Sequence, residues 1–282
     1  MDALVFIAVL VAAAFHAGWN ALLKLRLEPV VATALVAVAS GIIALPAVVV
    51  AGFPDPAAWP YLLGSVAVHV AYYLTLAEAY RGADLGHVYP IARGTAPLMT
   101  AVAASFWLQE TLGAYGWAGV TALAAGILLL AVKGGRASQK LNVRSVGFAL
   151  LTSLTITIYT LVDGLGARLS GAPIAYTAWL FLLSGSAMAI YGIMRTGVRR
   201  LAAEFLANWP VAVGGAGLST AAYAIAIWAM TVAPIALVAA LRETSVLFAA
   251  LFGMLLLREP LMPTRIAAAL LVLAGAVLLR LA

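Results

Sequence analysis

The chain has 282 residues, of which 65% are hydrophobic and only 9% are charged, and its mean hydropathy is +1.09. A soluble domain is roughly half apolar and about a quarter charged, so this composition excludes a water-facing surface and indicates an integral membrane protein. The absence of cysteine excludes disulfides and thiolate metal sites, and the net charge of +6 comes from basic residues scattered between apolar runs, which excludes the basic stripe of a nucleic-acid-binding protein.

Apolar runs long enough to cross a bilayer follow one another along the chain. A transmembrane helix needs about 20 mostly apolar residues. The runs are 4–23, 30–53, 59–77, 88–108, 112–132, 146–162, 169–194, 205–231, 234–257 and 261–279. Pro234 divides the charge-free stretch 205–241, because proline ends or kinks a helix. The sequence therefore predicts an all-α integral membrane protein with ten transmembrane helices.

The basic residues predict the orientation of these helices. Twelve of the 16 Lys and Arg residues fall in the connections after helices 1, 3, 5, 7 and 9. Because Lys and Arg concentrate in cytoplasmic loops, both termini are expected on the periplasmic side of a bacterial inner membrane. Lys24 and Arg26 follow the first apolar run instead of preceding it, so this run is expected to be an uncleaved span.

The second half of the chain repeats the first at an offset of 149 residues. The segment "ARGTAPLMTAVAASFWLQETL" aligns without a gap on "LRETSVLFAALFGMLLLREPL". The alignment pairs Arg93 with Arg242, Thr95 with Thr244 and Glu110 with Glu259. Five helices per half is an odd number, so the halves 1–133 and 145–282, joined by the linker 134–144, are predicted to be inverted repeats. Such repeats place the substrate site of a transporter near the membrane midplane, between the halves.

Both copies resemble the EamA-type half-domain of the drug/metabolite transporter superfamily. The resemblance is carried by "VYPIARGTAPLMTAVAASFWLQETL", with a glycine-bearing helix after it, and by "APIALVAALRETSVLFAALFGMLLLREPL", and it covers nearly the whole chain. It implies a secondary transporter, in a family that exports amino acids, aromatic compounds, purine-related metabolites and drugs. It also implies a central cavity lined by helices 3, 4, 8 and 9 and parts of helices 1 and 6, supported by helices 5 and 10.

Aromatic and polar residues within the spans are candidates for this cavity. His69, Tyr72 and Tyr73 lie near the middle of helix 3, where an interfacial aromatic belt does not explain them. We therefore expect all three to line the cavity. Further candidates for substrate contacts are Trp19, Asn20, Tyr89, Tyr159 and Tyr223. The glycines expected to allow close helix packing are Gly41, Gly64, Gly119, Gly126, Gly185, Gly253 and Gly275.

The two arginines within spans allow two interpretations. An ionisable residue there usually faces a cavity or a partner. Arg93 is either an anchor that reaches the cytoplasmic interface or a contact for a gate or a substrate carboxylate. Because Arg242 occupies the equivalent place in the inverted half, we expect the two arginines near opposite mouths of one cavity, Arg93 towards the cytoplasm.

Three acids are candidates for gating or ion pairs. Glu78 is expected to pair with Arg81 or Arg93. Glu243 and its neighbour Arg242 point about 100° apart on a helix, so their partners are expected on other helices. Asp163 lies near the predicted end of helix 6 and is either a gating group or interfacial.

The sequence contains no catalytic or nucleotide-binding motif. The three histidines lack metal-site spacing and there is no Walker loop. No cofactor is expected, and uphill transport would draw on an ion gradient, with a proton as the candidate coupling ion. The partners expected are a small-molecule substrate and the lipid bilayer, with no oligomer required. The favoured function is the export of small metabolites, in the first place amino acids with aromatic or other apolar side chains, by alternating access. The alternatives are an exporter of drugs or purine-type metabolites, a channel and an intramembrane enzyme.

Overall fold

The computed structural model describes residues 1–24, 29–80, 85–133, 143–257 and 263–282, which fold almost entirely into helices. The helices are α1 (Ala3–Lys24), α2 (Pro29–Ala51), α3 (Trp59–Tyr80), α4 (Leu85–Trp107), α5 (Ala114–Lys133), α6 (Val143–Ser170), α7 (Pro173–Thr196), α8 (Val198–Val232), α9 (Ile235–Arg242), α10 (Ser245–Leu257) and α11 (Pro263–Leu281). A short 3₁₀ turn, Pro56–Ala58, leads into α3. Seven of the described helical segments are long and apolar enough to cross a membrane, and a shorter apolar segment spans Ala114–Leu130.

The ninth predicted span, 234–257, is interrupted in its middle. The backbone N–H groups of Glu243 and Thr244 donate to carbonyl oxygens three residues earlier, each at 3.0 Å, which is the pattern of a tighter 3₁₀ turn. The Thr244 hydroxyl also donates to the Leu241 carbonyl at 2.7 Å and competes for the helical bonding there. Helices α9 and α10 therefore form one predicted span with a break at its centre.

The packing of the helices follows an approximate twofold relation between the halves. Helix α1 packs on α8, and the counterpart of this pair is α6 on α3. Helix α4 packs on α6, and its counterpart, the α9–α10 span, packs on α1. The pairs α2 with α7 and α5 with α11 join each helix to its own counterpart. This arrangement confirms the predicted fold of two inverted five-helix repeats.

Glycines allow the self-paired helices to come close. A Cβ on Gly275 of α11 would lie 2.8 Å from the Gly119 backbone oxygen of α5, and a Cβ on Gly185 of α7 would lie 2.7 Å from the Ala37 oxygen of α2. Any side chain there would push the helices apart. The predicted packing role is confirmed for Gly41, Gly119, Gly126, Gly185 and Gly275. It is wrong for Gly64, where a Cβ would have no other atom within 4 Å.

The exterior of the bundle is apolar and its interior holds ionisable groups. Val50 is 88% exposed and Phe106 is 75% exposed, whereas Arg93 and Glu243 are 5% exposed and Asp163 is completely buried. A large exposed apolar surface suits contact with lipid, and buried ionisable groups in such a protein face partners within it. The chain is thus a multi-pass membrane protein.

Several sequence predictions lie outside the described residues. They concern Arg26, Arg81, Arg136, Lys140, Arg258, Glu259 and most of the linker, and also the surroundings of Lys24, Lys133, His87 and Gly253.

Candidate substrate-binding site

Arg93 and Glu243 form a buried ion pair between the two halves. The Arg93 Nε lies 2.9 Å from the Glu243 Oε2, and both side chains are 6% exposed. Helix α4 begins at Leu85, earlier than predicted, so Arg93 lies about 12 Å along the helix. The interpretation as an interfacial anchor is therefore wrong. The break after α9 presents Glu243 to the first half.

Arg242 contacts an aromatic ring. Its guanidinium carbon lies 5.0 Å from the centre of the Tyr223 ring, which is a cation–π arrangement. Arg242 and Arg93 line the same narrow cavity between α4, α6 and α9. The expectation that they lie near opposite mouths is therefore wrong, because both residues lie near the middle of their predicted spans, where the two halves meet. The cavity is lined by Arg93, Ala96, Pro97, Thr100, Ile156, Tyr159, Thr160, Ala239, Arg242 and Glu243.

Four aromatic side chains, His69, Tyr72, Tyr159 and Tyr223, form an aromatic cluster that adjoins this cavity through Tyr159. The His69 ring stacks on Tyr159 with centroids 4.4 Å apart, and it meets Tyr223 edge-on at 6.0 Å. Tyr72 meets Tyr159 edge-on at 5.7 Å. All three spacings are close to those of attractive ring pairs. The cluster joins residues predicted separately on helices 3, 6 and 8.

The orientation of His69 is set by its own helix. Its Nδ1 lies 2.9 Å from the Ser65 carbonyl oxygen, which only accepts hydrogen bonds. The Ser65 hydroxyl oxygen lies 3.1 Å from the same nitrogen, so one turn of α3 fixes the ring in place. The imidazole presents a polar atom within an otherwise phenolic cluster.

Asp163 accepts two phenolic hydrogen bonds at the edge of the aromatic cluster. Its Oδ1 accepts from the Tyr176 hydroxyl at 3.0 Å, and its Oδ2 accepts from the Tyr223 hydroxyl at 2.5 Å. Helix α6 continues to Ser170, so the interfacial interpretation of Asp163 is wrong. The Tyr176 ring reaches Asp163 because Gly166 leaves room, since a Cβ there would lie 2.6 Å from the Tyr176 hydroxyl oxygen.

Glu78 lies away from the cavity. It pairs with Arg144 at 3.3 Å, and the two side chains are 25% and 72% exposed, respectively. Its predicted pairing with Arg93 is therefore wrong, because Glu243 lies closer to the centre of the bundle and contacts Arg93 instead.

For four predicted substrate-contact residues, the contacts seen are mainly within their own helices. The Trp19 indole N–H donates to His16 Nδ1 at 3.3 Å, and the Asn20 amide donates to the His16 carbonyl oxygen at 2.7 Å, both within α1. Tyr73 is half-buried, with its ring centre 5.2 Å from that of Tyr72. Tyr89 is half-buried and precedes Arg93 by one turn of α4. Their roles in binding remain predictions.

Hydroxyl groups between α4 and α6 were not singled out from the sequence. Thr100 and Thr160 line the cavity. Thr100 donates to Thr157 at 3.4 Å, and Ser153 donates to the Ala92 carbonyl oxygen at 2.9 Å. Threonine is common in membrane helices, where it bonds its own backbone, so only the packing of α4 on α6 distinguishes these residues.

A second polar site, the Glu110–Arg168 junction, joins four segments at the end of the bundle where α9 begins. The Arg168 guanidinium donates to Glu110 at 2.9 Å and to the carbonyl oxygens of Met230 and Ala233 at 2.8 and 3.0 Å. Glu110 also accepts from the first two N–H groups of α9, at 3.0 and 3.2 Å. A carboxylate at a helix N-terminus and a guanidinium at a helix C-terminus are both favourable. The repeat alignment highlighted Glu110, but it gave no role to Arg168.

No group of three or more His, Cys, Asp or Glu residues in the described ranges is arranged to hold a metal ion.

Comparison with known proteins agrees with this architecture. A family model described as the EamA-like transporter family matches residues 3–132 and again residues 143–281. A solved structure titled "Crystal structure of protein" aligns over 98% of this chain and 96% of its own, with a TM-score of 0.75 and 19% sequence identity, which is a likeness of fold. None of the curated proteins compared matches the chain. Both halves match the same family model, and the chain belongs to the EamA-like transporter family.

Proposed function

We propose that the chain exports amino acids, in the first place those with aromatic or other apolar side chains, across the bacterial inner membrane by alternating access. The observation that carries this proposal is the cavity between the repeats, where Arg242 lies beside the aromatic cluster. Inverted-repeat transporters place their substrates in such a position.

The charges around the cavity suit a substrate with a carboxylate. Arg93 is neutralised by Glu243 at 2.9 Å. The contact of Arg242 is the face of an uncharged ring, so its guanidinium is the group offered to an anionic ligand. Guanidinium and carboxylate form strong, directed hydrogen bonds. The aromatic cluster would hold the apolar side chain of the substrate by ring contacts.

Counterflow in proteoliposomes tests this function. Vesicles loaded with one unlabelled amino acid should take up the same labelled amino acid faster than empty vesicles, with L-phenylalanine as the first probe. Adenine and ethidium represent the purine and drug alternatives. Selective counterflow of either would overturn the amino-acid assignment, conduction without counterflow would indicate a channel, and chemical change of the probe would indicate an enzyme.

The role of Arg242 has its own test. Replacing Arg242 with Gln should lower the affinity for the amino acid about ten- to hundredfold, because a hydrogen bond to a charged group contributes about 1.5–3 kcal/mol. His69→Ala should also reduce transport. Arg144→Gln is the matched control, since Arg144 is 72% exposed and far along α6 from the cavity. Unchanged affinity in Arg242→Gln would remove Arg242 from the binding site.

The proposed orientation places both termini in the periplasm. Alkaline phosphatase fused after Ala282 should be active, whereas a fusion in the linker at Gly135 should be inactive. The opposite pattern would reverse the orientation and, with it, the assignment of inner and outer faces.

A further inference from the structure

Asp163 differs from Glu243 and Glu110, two other little-exposed acids among the described residues. Glu243 and Glu110 each lie 2.9 Å from an arginine nitrogen. The two oxygens of Asp163 instead accept from the neutral phenols of Tyr176 and Tyr223, and its side chain is completely buried. Burial disfavours the charged form of a carboxylate, and a guanidinium in contact stabilises it. A buried carboxylate without a guanidinium in contact therefore takes up a proton more readily than one in an ion pair.

We propose that Asp163 is the proton-binding site of the transport cycle and that Tyr223 links it to the substrate cavity. This inference rests on the proposed transport function. Tyr223 contacts both charged groups concerned, since its hydroxyl donates to Asp163 at 2.5 Å and its ring lies 5.0 Å from the Arg242 guanidinium carbon. The proton site and the carboxylate-binding arginine thus share one side chain.

The groups around Asp163 are polar but mostly uncharged at neutral pH. Helix α3 contributes His69 and the Ser65 hydroxyl, α6 itself contributes Tyr159, α7 contributes Tyr176 and α8 contributes Tyr223. Helix α9 contributes Arg242, on the far side of the Tyr223 ring. His69 is the other ionisable side chain of the aromatic cluster, so its variant belongs in the same experiment.

Protonation reverses a hydrogen bond. When a proton from water adds to Oδ2, the carboxylate becomes a carboxylic acid, and this oxygen then donates to the Tyr223 oxygen. The Tyr223 hydroxyl hydrogen must turn away from Asp163, and the ring that supports Arg242 is held differently. When the proton returns to water on the other side of the membrane, the original bond forms again. A proton bound at Asp163 therefore changes how Arg242 holds a substrate, which is the coupling that an ion-driven transporter requires.

The test separates exchange from uphill transport in proteoliposomes. Asp163→Asn keeps the volume of the side chain and cannot take up a proton. We expect this variant to retain amino-acid counterflow, whereas accumulation driven by a pH gradient should fall at least tenfold. Its substrate affinity should no longer depend on pH. Tyr176→Phe is the matched control, because it removes a hydrogen bond to the same carboxylate on the side away from the cavity, and it should keep gradient-driven accumulation. His69→Gln should lower counterflow and gradient-driven accumulation by the same factor, because His69 belongs to the proposed substrate-binding cluster and not to the proton site.

Tyr223→Phe tests the link itself. It should leave proton binding intact and weaken the dependence of substrate affinity on pH, and it carries the test if Asp163→Asn does not insert. Gradient-driven accumulation at the wild-type level in Asp163→Asn, or a selective loss of accumulation relative to counterflow in His69→Gln alone, would overturn the proposal.

Infrared difference spectra between acidic and alkaline buffer need no substrate. A carboxylic-acid carbonyl band present in the wild type and absent in Asp163→Asn would support proton binding at Asp163, and an identical band in both would contradict it. If no amino acid shows counterflow, the proposed function fails, while these spectra still decide whether Asp163 binds a proton.

Discussion

The two arginine segments occupy equivalent positions in the repeat but have different surroundings. In the first half, "ARGT" lies in the continuous helix α4, whereas in the second half "LRET" lies where α9 ends. At Gly94 a Cβ would lie 2.9 Å from the Leu128 side chain of α5, so this position has no room for a larger residue. Its counterpart, Glu243, reaches across to Arg93.

This single difference makes a symmetric fold chemically asymmetric. If both copies carried an acid after the arginine, both guanidinium groups would have a partner. With glycine in the first copy, Arg93 is neutralised and Arg242 lies over the Tyr223 ring. One arginine thus forms an ion pair between the halves, and the other lies over a ring in the same cavity, where we propose that it binds a substrate carboxylate.

The largest effect is expected from breaking the ion pair. Glu243→Ala leaves the Arg93 guanidinium buried without its partner, and losing one partner of a buried pair costs about 3–5 kcal/mol. We expect a large fall in the melting temperature of the detergent-solubilised protein. Removing both charges in Arg93→Met with Glu243→Leu should restore most of it. Arg242→Met should lower the melting temperature less, because its contact is a ring. Equal losses in Glu243→Ala and Arg242→Met would refute the asymmetry.

The comparison is sharpened by giving the first half the acid that it lacks. Gly94→Glu needs space, so it is combined with Leu128→Ala, and Leu128→Ala alone is the control. The new carboxylate should neutralise Arg242 and weaken substrate binding about tenfold, on the scale of one charge-assisted hydrogen bond. Counterflow at varied substrate concentration measures this. Unaltered affinity in the double variant would mean that the position is not equivalent to Glu243.

A third test compares the ends of the two halves. Ala236 is buried behind the Glu110–Arg168 junction, and the chain has no native cysteine. A cysteine at Ala236 should react several times faster with an impermeant maleimide added on the side proposed to be periplasmic when Arg168 is replaced with Gln, because the junction is weakened. Glu259→Gln, at the position that aligns with Glu110, should slow the same labelling by favouring the opposite opening. A change in the same direction in both variants would contradict opposed roles for the two ends.

The smallest effects are expected at the threonines that follow each arginine. Thr244→Val removes a hydroxyl that bonds only locally in the described structure, to the Leu241 carbonyl oxygen, whereas Thr95→Val also removes a contact with Ser153 at 2.5 Å. Each hydrogen bond contributes about 1 kcal/mol. We expect a small fall in melting temperature for both variants, larger for Thr95→Val. A larger fall for Thr244→Val would indicate that its hydroxyl is needed to hold the break.

Side-chain partners across helices were predicted less well than helices. The sequence predicts Glu78 as a partner of Arg81 or Arg93, yet the partner of Arg93 is Glu243, 150 positions away from it. Asp163 was assigned to a helix end because the apolar run stops at Val162, whereas α6 continues to Ser170. Hydropathy shows only where the apolar residues stop. When a helix continues as a buried polar segment, hydropathy wrongly places the membrane interface at the start of that segment.

The sequence by itself determined the membrane class, the ten spans and the inverted repeat, because a bilayer demands apolar runs of fixed length and an odd number of spans inverts the second copy. It also identified most of the aromatic residues of the site, since polar tips in mid-span need a cavity or a partner. Only the tertiary structure decided that Arg93 and Arg242 share one cavity, that Glu243 neutralises just one of them, and that Tyr223 joins Arg242 to Asp163. These contacts depend on how helices from the two halves cross, and that geometry is fixed by close packing at many positions together.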